Sequence, residues 1–112
     1  MTERIPRPTD AELAILQVLW RQGACTVREV HEALAESRPG GYTTVLKLMQ
    51  IMTEKGLVTR DESQRAHVYE ARHSQQKMQR QIVADLVERA FGGSAANIRA
   101  QVLELVKIPE RG

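Results

Sequence analysis

The fold is decided by the stretch from Gly41 to Gly56, which reads GYTTVLKLMQIMTEKG. Apolar residues recur there at the spacing i, i+3, i+4, i+7, which predicts a helix with one buried face. That face consists of Val45, Leu48, Met49 and Met52. The opposite face is polar and consists of Thr43, Lys47, Gln50 and Glu54, with Thr44 and Ile51 at its flank. Side chains of these types can hydrogen-bond base edges and phosphates in a DNA groove.

Two more helices are predicted before this one, because two capping boxes precede it. The sequence TDAE at 9–12 begins a helix that ends near Gln22-Gly23, and TVRE at 26–29 begins a second helix that ends before the turn PGG at 39–41. The helix that begins at 26 is followed directly by the helix within 41–56, which carries the outward polar face. This succession indicates a helix-turn-helix.

The hydrophobic period changes from 3.6 to 2 after Gly56, which predicts a β-hairpin. Its strands lie around Val58–Arg60 and Ala66–Tyr69, and the polar residues DESQ at 61–64 form its tip. A hairpin in this position is the wing of a winged helix. We therefore predict a mainly α fold with a small β wing, a winged helix-turn-helix spanning residues 1–73.

Residues 74–112 are predicted to form two amphipathic helices that mediate dimerisation. Ser74 caps the first, Gly92-Gly93 ends it, Ser94 caps the second and Pro109 ends that one. Packing against a second copy is the simplest way to bury both apolar stripes. The alternative is that the two helices fold back on their own domain. The expected dimerisation residues are Met78, Ile82, Leu86, Ala90, Ile98, Val102 and Leu105.

Composition excludes several classes of protein. The single cysteine cannot form a disulfide within the chain, and the chain has neither an apolar signal core nor a run long enough to span a membrane. We therefore expect a cytoplasmic protein without membrane insertion. A glycine-rich phosphate loop, a nucleophile elbow and facing carboxylates are all missing from the sequence, so we expect neither an enzyme nor a cofactor.

Six residues are candidates for contact with DNA. Lys47 and Gln50 are expected to read bases, while the hydroxyls of Thr43 and Thr44 lie at the helix N-terminus, which favours phosphate. For the two threonines, helix capping is the alternative. Arg60 and Arg65 flank the tip of the wing and are expected to meet phosphates; for both, the alternative is an ordinary surface arginine near Asp61 and Glu62.

The remaining reactive side chains do not form a recognisable site in the sequence. The three histidines, His31, His67 and His73, lack the spacing of metal ligands, so no metal is expected. His67 could touch a phosphate from the wing strand. Cys25 precedes a helix start, where a thiolate could be stabilised. Because the chain has no second cysteine, we expect Cys25 to be a small buried residue instead.

Several local sequences together resemble the penicillinase-repressor family (BlaI/MecI/CopY type). The match covers about residues 8–98. It is carried by ELAILQVLW at 12–20, TVREVHEAL at 26–34, YTTV at 42–45, KGLV at 55–58, RAHVY at 65–69 and FGGSAA at 91–96.

The resemblance implies a bacterial repressor that binds a dyad-symmetric operator as a homodimer through its third helix. It implies control of genes for antibiotic resistance or metal handling. Release is implied to follow when a membrane-bound sensor metalloprotease triggers cleavage at a bond that matches Asn97–Ile98 here. Asparagine is kept at that bond and phenylalanine is not, so an ordinary early-helix role for Asn97 is the alternative. The paired Cys-x-Cys sequences of the copper-responsive branch are missing.

Two other interpretations of the whole chain stay open. One is a winged-helix protein-interaction module without specific DNA binding. It is supported by residues 1–74, where ten Lys and Arg balance ten Asp and Glu, and by Ile51, which occupies a position where relatives often carry a basic residue. The other is a redox sensor based on Cys25.

Overall fold

The computed structural model describes residues 4–38 and 40–106. These residues form five helices and one three-stranded sheet. In chain order the elements are α1 (Asp10–Gln22), β1 (Cys25–Thr26), α2 (Val27–Leu34), α3 (Tyr42–Lys55), β2 (Val58–Asp61), β3 (Val68–Ala71), α4 (Gln75–Ala90) and α5 (Ala95–Leu105). The chain divides into two compact units, Met1–Met78 and Gln79–Gly112.

Capping boxes begin α1 and α2, which confirms the sequence-based prediction. Thr9 Oγ1 accepts a hydrogen bond from the Glu12 amide at 3.2 Å, and Glu12 Oε1 accepts one from the Thr9 amide at 2.9 Å. Thr26 and Glu29 repeat this exchange at 3.2 and 2.8 Å. Caps of this kind stabilise a helix by about 1 kcal/mol each, so local sequence fixes where both helices begin.

The two ends of α3 are set by glycines. Gly41 caps its N-terminus without a side-chain hydrogen bond. At the other end, Gly56 has φ 83°, in the left-handed region that glycine adopts without a steric penalty. The Leu57 amide donates to the carbonyl of Met52 at 2.9 Å, so the chain turns directly from α3 into β2.

The core of the first unit buries the apolar face of α3. Val45 is 7% exposed and Met49 and Met52 are fully buried, whereas Leu48 is half-buried. Further fully buried side chains come from the other helices and the strands: Ile15, Leu16, Val18, Val30, Leu57, Val58 and Tyr69. The polar face of α3 is left outside this core.

The sheet has one strand more than the sequence analysis predicted. Its order is β1-β3-β2, and all pairs are antiparallel. The additional strand, β1, pairs Cys25 with Tyr69 and Thr26 with Val68. This pairing joins the base of the wing to the start of α2. The strand predicted from Ala66 begins only at Val68.

In the second unit, α4 ends before two glycines with positive φ, Gly92 at 57° and Gly93 at 84°. Ser94 caps α5, because its hydroxyl accepts from the Asn97 amide at 3.1 Å. The helix ends at Leu105, and none of its residues is buried. Pro109, the expected stop, lies outside the described residues. Over residues 4–38 and 40–106, no helix combines the length and hydropathy needed to cross a membrane.

Candidate nucleic-acid interface

The exposed side of α3 carries the polar residues that the sequence analysis selected. Thr43, Lys47 and Gln50 are exposed, and Glu54 lies on the same side at the far end of the helix. Ile51 is 38% exposed at the flank. Within residues 4–38 and 40–106, the side chains of Lys47 and Gln50 form neither an ion pair nor a hydrogen bond. Their donors and acceptors are therefore available to an external partner.

Thr43 and Thr44 are the second and third residues of α3, so the alternative that they cap the helix is wrong. Gly41 is the N-cap, and its carbonyl accepts from the Thr44 amide at 3.1 Å. Both threonine side chains are exposed in the first turn. The amides at the start of an α-helix lack intrahelical acceptors, which makes this turn suited to an anion.

The two wing arginines differ in their surroundings. Arg60 Nη2 lies 2.6 Å from Glu62 Oε2. The hydrogen bond between the Arg60 guanidinium and the Tyr69 hydroxyl raises the pKa of Arg60, and the neighbouring Glu62 carboxylate adds to the rise. Arg65 is exposed and has no ion pair within the part of the chain that the structure describes. The alternative of a surface arginine paired with wing carboxylates thus fits Arg60 better than Arg65.

A cleft of about 420 Å³ lies beside the first turns of α3. Its basic and aromatic lining comes from four places: Arg28 at the start of α2, Tyr42 at the start of α3, Arg65 and His67 ahead of β3, and Tyr69 within β3. The sequence analysis missed Arg28 and Tyr42. Arg28 lies inside the capping-box sequence, which explains a helix start without showing which way the side chain faces.

Contacts hold α3 at both ends. At its C-terminal end, Lys55 Nζ lies 2.7 Å from Oε1 of Glu12, which is 2% exposed. Near its N-terminal end, His31 Nε2 lies 3.0 Å from the Gly40 carbonyl, and the His31 ring meets the Tyr42 ring edge-to-face at 6.2 Å. The polar face of α3 is therefore presented from a helix fixed by α1 and α2.

Lys55 has a strong effect on the pKa of the buried Glu12 carboxyl. Burial raises the pKa of Glu12, but the hydrogen bond from Lys55, the bond from the Thr9 amide and the Lys55 charge together outweigh burial. The net pKa lies below the ordinary value of 4.5. The carboxylate is thus held ionised at neutral pH.

Cys25 is buried, which agrees with the prediction of a small buried residue and not with a stabilised thiolate. Burial raises the pKa of its thiol, and the charge of Glu29 raises it further. A thiol of this kind is a poor nucleophile at neutral pH. Among the described residues, no group of three or more His, Cys, Asp and Glu side chains could hold a metal ion.

The expected dimerisation residues have different environments. Met78 is 1% exposed and lies in the first unit. Leu86, Val102 and Leu105 are 46%, 45% and 81% exposed. The others are Ile82 and Ile98, which are half-buried, and Ala90, which is exposed. The Asn97–Ile98 bond lies in the first turn of α5.

Residues 8–110 match the model of the penicillinase repressor family. The chain belongs to this family. The chain is also 35% identical over 88 residues to "Transcriptional regulator BlaI" of Mycobacterium tuberculosis, in the strains H37Rv and CDC 1551. The alignment covers 78% of this chain and 64% of each relative, so the chain spans somewhat less than two thirds of their length.

Two solved structures show the same fold. One is the solution structure of the DNA-binding domain of the repressor BlaI, and the other is monomeric BlaI of Bacillus licheniformis in complex with the blaP half-operator. Each has a TM-score of 0.57 at 23% identity and covers 66% of this chain and 90% of its own. The winged-helix prediction and the family resemblance are therefore confirmed. The family is one of repressors rather than enzymes.

Proposed function

We propose that this chain represses transcription by binding a dyad operator as a homodimer. Two copies of α3 enter successive major grooves about one helical turn apart. The observation that carries the proposal is the exposed face of α3, where Lys47 and Gln50 are unbonded within the described residues while Val45 and Met49 anchor the opposite side. The BlaI structure in complex with a half-operator supports duplex DNA as the partner.

The six candidate residues divide into base contacts and phosphate contacts. Lys47 pairs with guanine acceptors and Gln50 with adenine, at about 1–3 kcal/mol of discrimination each. Thr43, Thr44 and Arg65 bind phosphates and set the register of the helix. Arg60 reaches a phosphate only when its 2.6 Å contact with Glu62 opens, so we expect it to contribute less than Arg65.

Dimerisation is supported by the apolar side chains that α4 and α5 leave exposed. On α4 the exposed residues Val83 and Leu86 lie three positions apart, and on α5 the exposed residues Val102 and Leu105 do the same. Such stripes are buried most simply against the same stripes of a second copy. Linking two DNA-binding units raises operator affinity through effective concentration, and separate monomers lose that gain.

Release by proteolysis at Asn97–Ile98 completes the proposal, with a membrane-bound sensor metalloprotease as the partner that triggers it. A helix without buried residues opens at low cost, and α5 has none. Local opening of its first turn exposes the bond in an extended form. Cleavage there removes most of α5 and with it part of the dimer surface.

DNA binding is tested by the substitution Lys47→Ala, with Lys77→Ala on α4 as the matched control. Operator affinity is measured by fluorescence anisotropy on the dyad site and on scrambled duplexes. We expect Lys47→Ala to weaken operator binding about tenfold per half-site and to relax base preference, while Lys77→Ala leaves both unchanged. Affinity should also fall steeply with salt.

A flat salt response would favour the protein-interaction module, which the balanced charge of residues 1–74 and the exposed Ile51 support. The redox alternative is tested separately by Cys25→Ser. Induction should persist in this variant, and a loss of induction would favour a Cys25-based sensor.

Dimerisation is tested by the substitution Leu86→Asp, with Ala84→Asp as the control at another exposed position of α4. We expect monomers from the first variant and dimers from the second by light scattering. A dimeric Leu86→Asp protein would remove this stripe from the interface. For release, mass spectrometry of induced cells should find a fragment that ends at Asn97, and derepression with an intact chain would contradict the cleavage.

A further inference from the structure

The cleft beside α3 has the size and lining of a ligand site. Its volume, about 420 Å³, is within the usual range for pockets that bind small molecules. The start of α2, the start of α3 and the segment ahead of β3 all contribute to it. Pairing of Thr26 with Val68 joins the start of α2 to the segment ahead of β3.

The lining has the chemistry to bind a phosphate ester. Arg28, Arg65 and His67 supply nitrogen donors, and the Thr26 and Tyr42 side chains supply hydroxyls. A guanidinium presents a planar fork of donors that matches phosphate oxygens. Apolar side chains, including Val27 and Leu46, complete the wall and suit the carbon face of a sugar.

The charge balance of the cleft favours an anion. None of its lining residues is acidic. Within residues 4–38 and 40–106, neither Arg28 nor Arg65 forms an ion pair. Glu29 is next to Arg28 in the sequence, but its carboxylate accepts a hydrogen bond from the Thr26 amide at 2.8 Å. It is therefore engaged in its capping box.

We infer that this cleft binds one backbone phosphate and its deoxyribose from the operator strand that passes the N-terminal end of α3. The inference rests on the proposed function. Leu46 lines the cleft, and the next residue, Lys47, lies on the exposed face of the same helix. A strand whose bases meet Lys47 therefore runs past the cleft, which makes DNA the source of the phosphate ester rather than a free nucleotide.

The test compares Arg28→Ala with Arg21→Ala, an exposed arginine at the end of α1 that does not line the cleft. Duplex affinity is measured between about 50 and 200 mM salt. Each protomer loses one phosphate contact, so a homodimer on the operator loses two, and the slope of log K against log salt should fall by about 1.8. Operator and scrambled DNA should be weakened equally. Arg28→Lys should restore part of the slope, which a purely structural role of Arg28 would not produce.

Three results are decisive. If the wild-type chain binds duplex DNA and Arg28→Ala keeps the wild-type slope, the cleft assignment is overturned while the proposed function stands. If the wild-type chain shows no salt-dependent DNA binding, the proposed function itself fails. Thymidine 5′-monophosphate is the probe for the other source: we expect it to leave the operator complex intact, and displacement of operator at low nucleotide concentration would reassign the cleft to a small-molecule ligand.

Discussion

The ion pair between Glu12 and Lys55 predicts an unequal response to the loss of either partner. Glu12 is 2% exposed, whereas the Lys55 side chain is 31% exposed. In Glu12→Gln, Lys55 can turn its ammonium toward water, and the glutamine oxygen can still accept the hydrogen bond from the Thr9 amide. In Lys55→Met, a buried carboxylate is left with only its capping bond. We therefore expect Lys55→Met to destabilise the protein more than Glu12→Gln.

The expected loss of stability in each variant depends on how exposed the remaining charged side chain is. Removing one partner of a fully buried pair costs about 3–5 kcal/mol, whereas exposed pairs contribute about 0–1 kcal/mol. Lys55→Met leaves the buried charge behind, so its cost should be about 3 kcal/mol. Glu12→Gln leaves the partly exposed charge, so its cost should be about 1–2 kcal/mol at pH 7.

The pH dependence identifies the charge as the cause. Because the folded-state pKa of Glu12 lies below its ordinary value of 4.5, the unfolded chain binds the proton more readily. The stability that Glu12 contributes is therefore fully present above about pH 4.5 and is lost as pH falls through its lowered pKa. The difference between wild type and Glu12→Gln should shrink over that interval.

Urea unfolding at fixed protein concentration measures these differences. The chain's one tryptophan, Trp20, reports on the first unit, since its indole N–H donates to the His73 carbonyl at 2.9 Å. Glu32→Gln, at an exposed position of α2, is the control and should change stability by less than about 0.5 kcal/mol. Equal costs for Glu12→Gln and Lys55→Met, or a difference that persists unchanged at low pH, would refute the reasoning.

Three further predictions test other contacts. His31→Gln can still donate to the Gly40 carbonyl and should keep more operator affinity than His31→Leu by anisotropy; equal affinities would remove this hydrogen bond from consideration. Gly56→Ala places a side chain at φ 83° and should lower the free energy of unfolding by about 1 kcal/mol in urea, whereas an unchanged midpoint would contradict strain at this site. Since the pKa of the Cys25 thiol is raised, Ellman's reagent should react slowly with folded protein at pH 7 and rapidly in urea, and fast reaction in both would contradict burial.

The elements that sequence predicted well are those set by neighbours along the chain. A capping box joins residues three apart, so Thr9 and Glu12 were sufficient to place the start of α1. The buried and exposed faces of α3 follow from a period of 3.6, which is equally local. The helix starts and the faces of α3 are both set by residues close together in the chain. The winged-helix fold was therefore predictable from one sequence.

The features that sequence missed depend on distant residues. Strand β1 has only two residues, Cys25 and Thr26, and exists through pairing with Tyr69 and Val68. No local pattern of two residues indicates a strand. The cleft likewise needs both Arg28 and Arg65, which lie 37 positions apart in the sequence but line the same cleft. The contact from Lys55 to Glu12 spans 43 residues and gives no periodic signal.

These distant contacts separate two ways of losing operator binding. A change at Lys47 removes a side chain that the core does not use, so affinity should fall while the free energy of unfolding stays constant. A change at Glu12 or His31 alters how α3 is held, although neither residue lies on its exposed polar face. Because the same contacts fix both fold and helix orientation, affinity and stability should fall together in those variants. Plotting one against the other for both groups distinguishes residues that touch DNA from residues that position the helix.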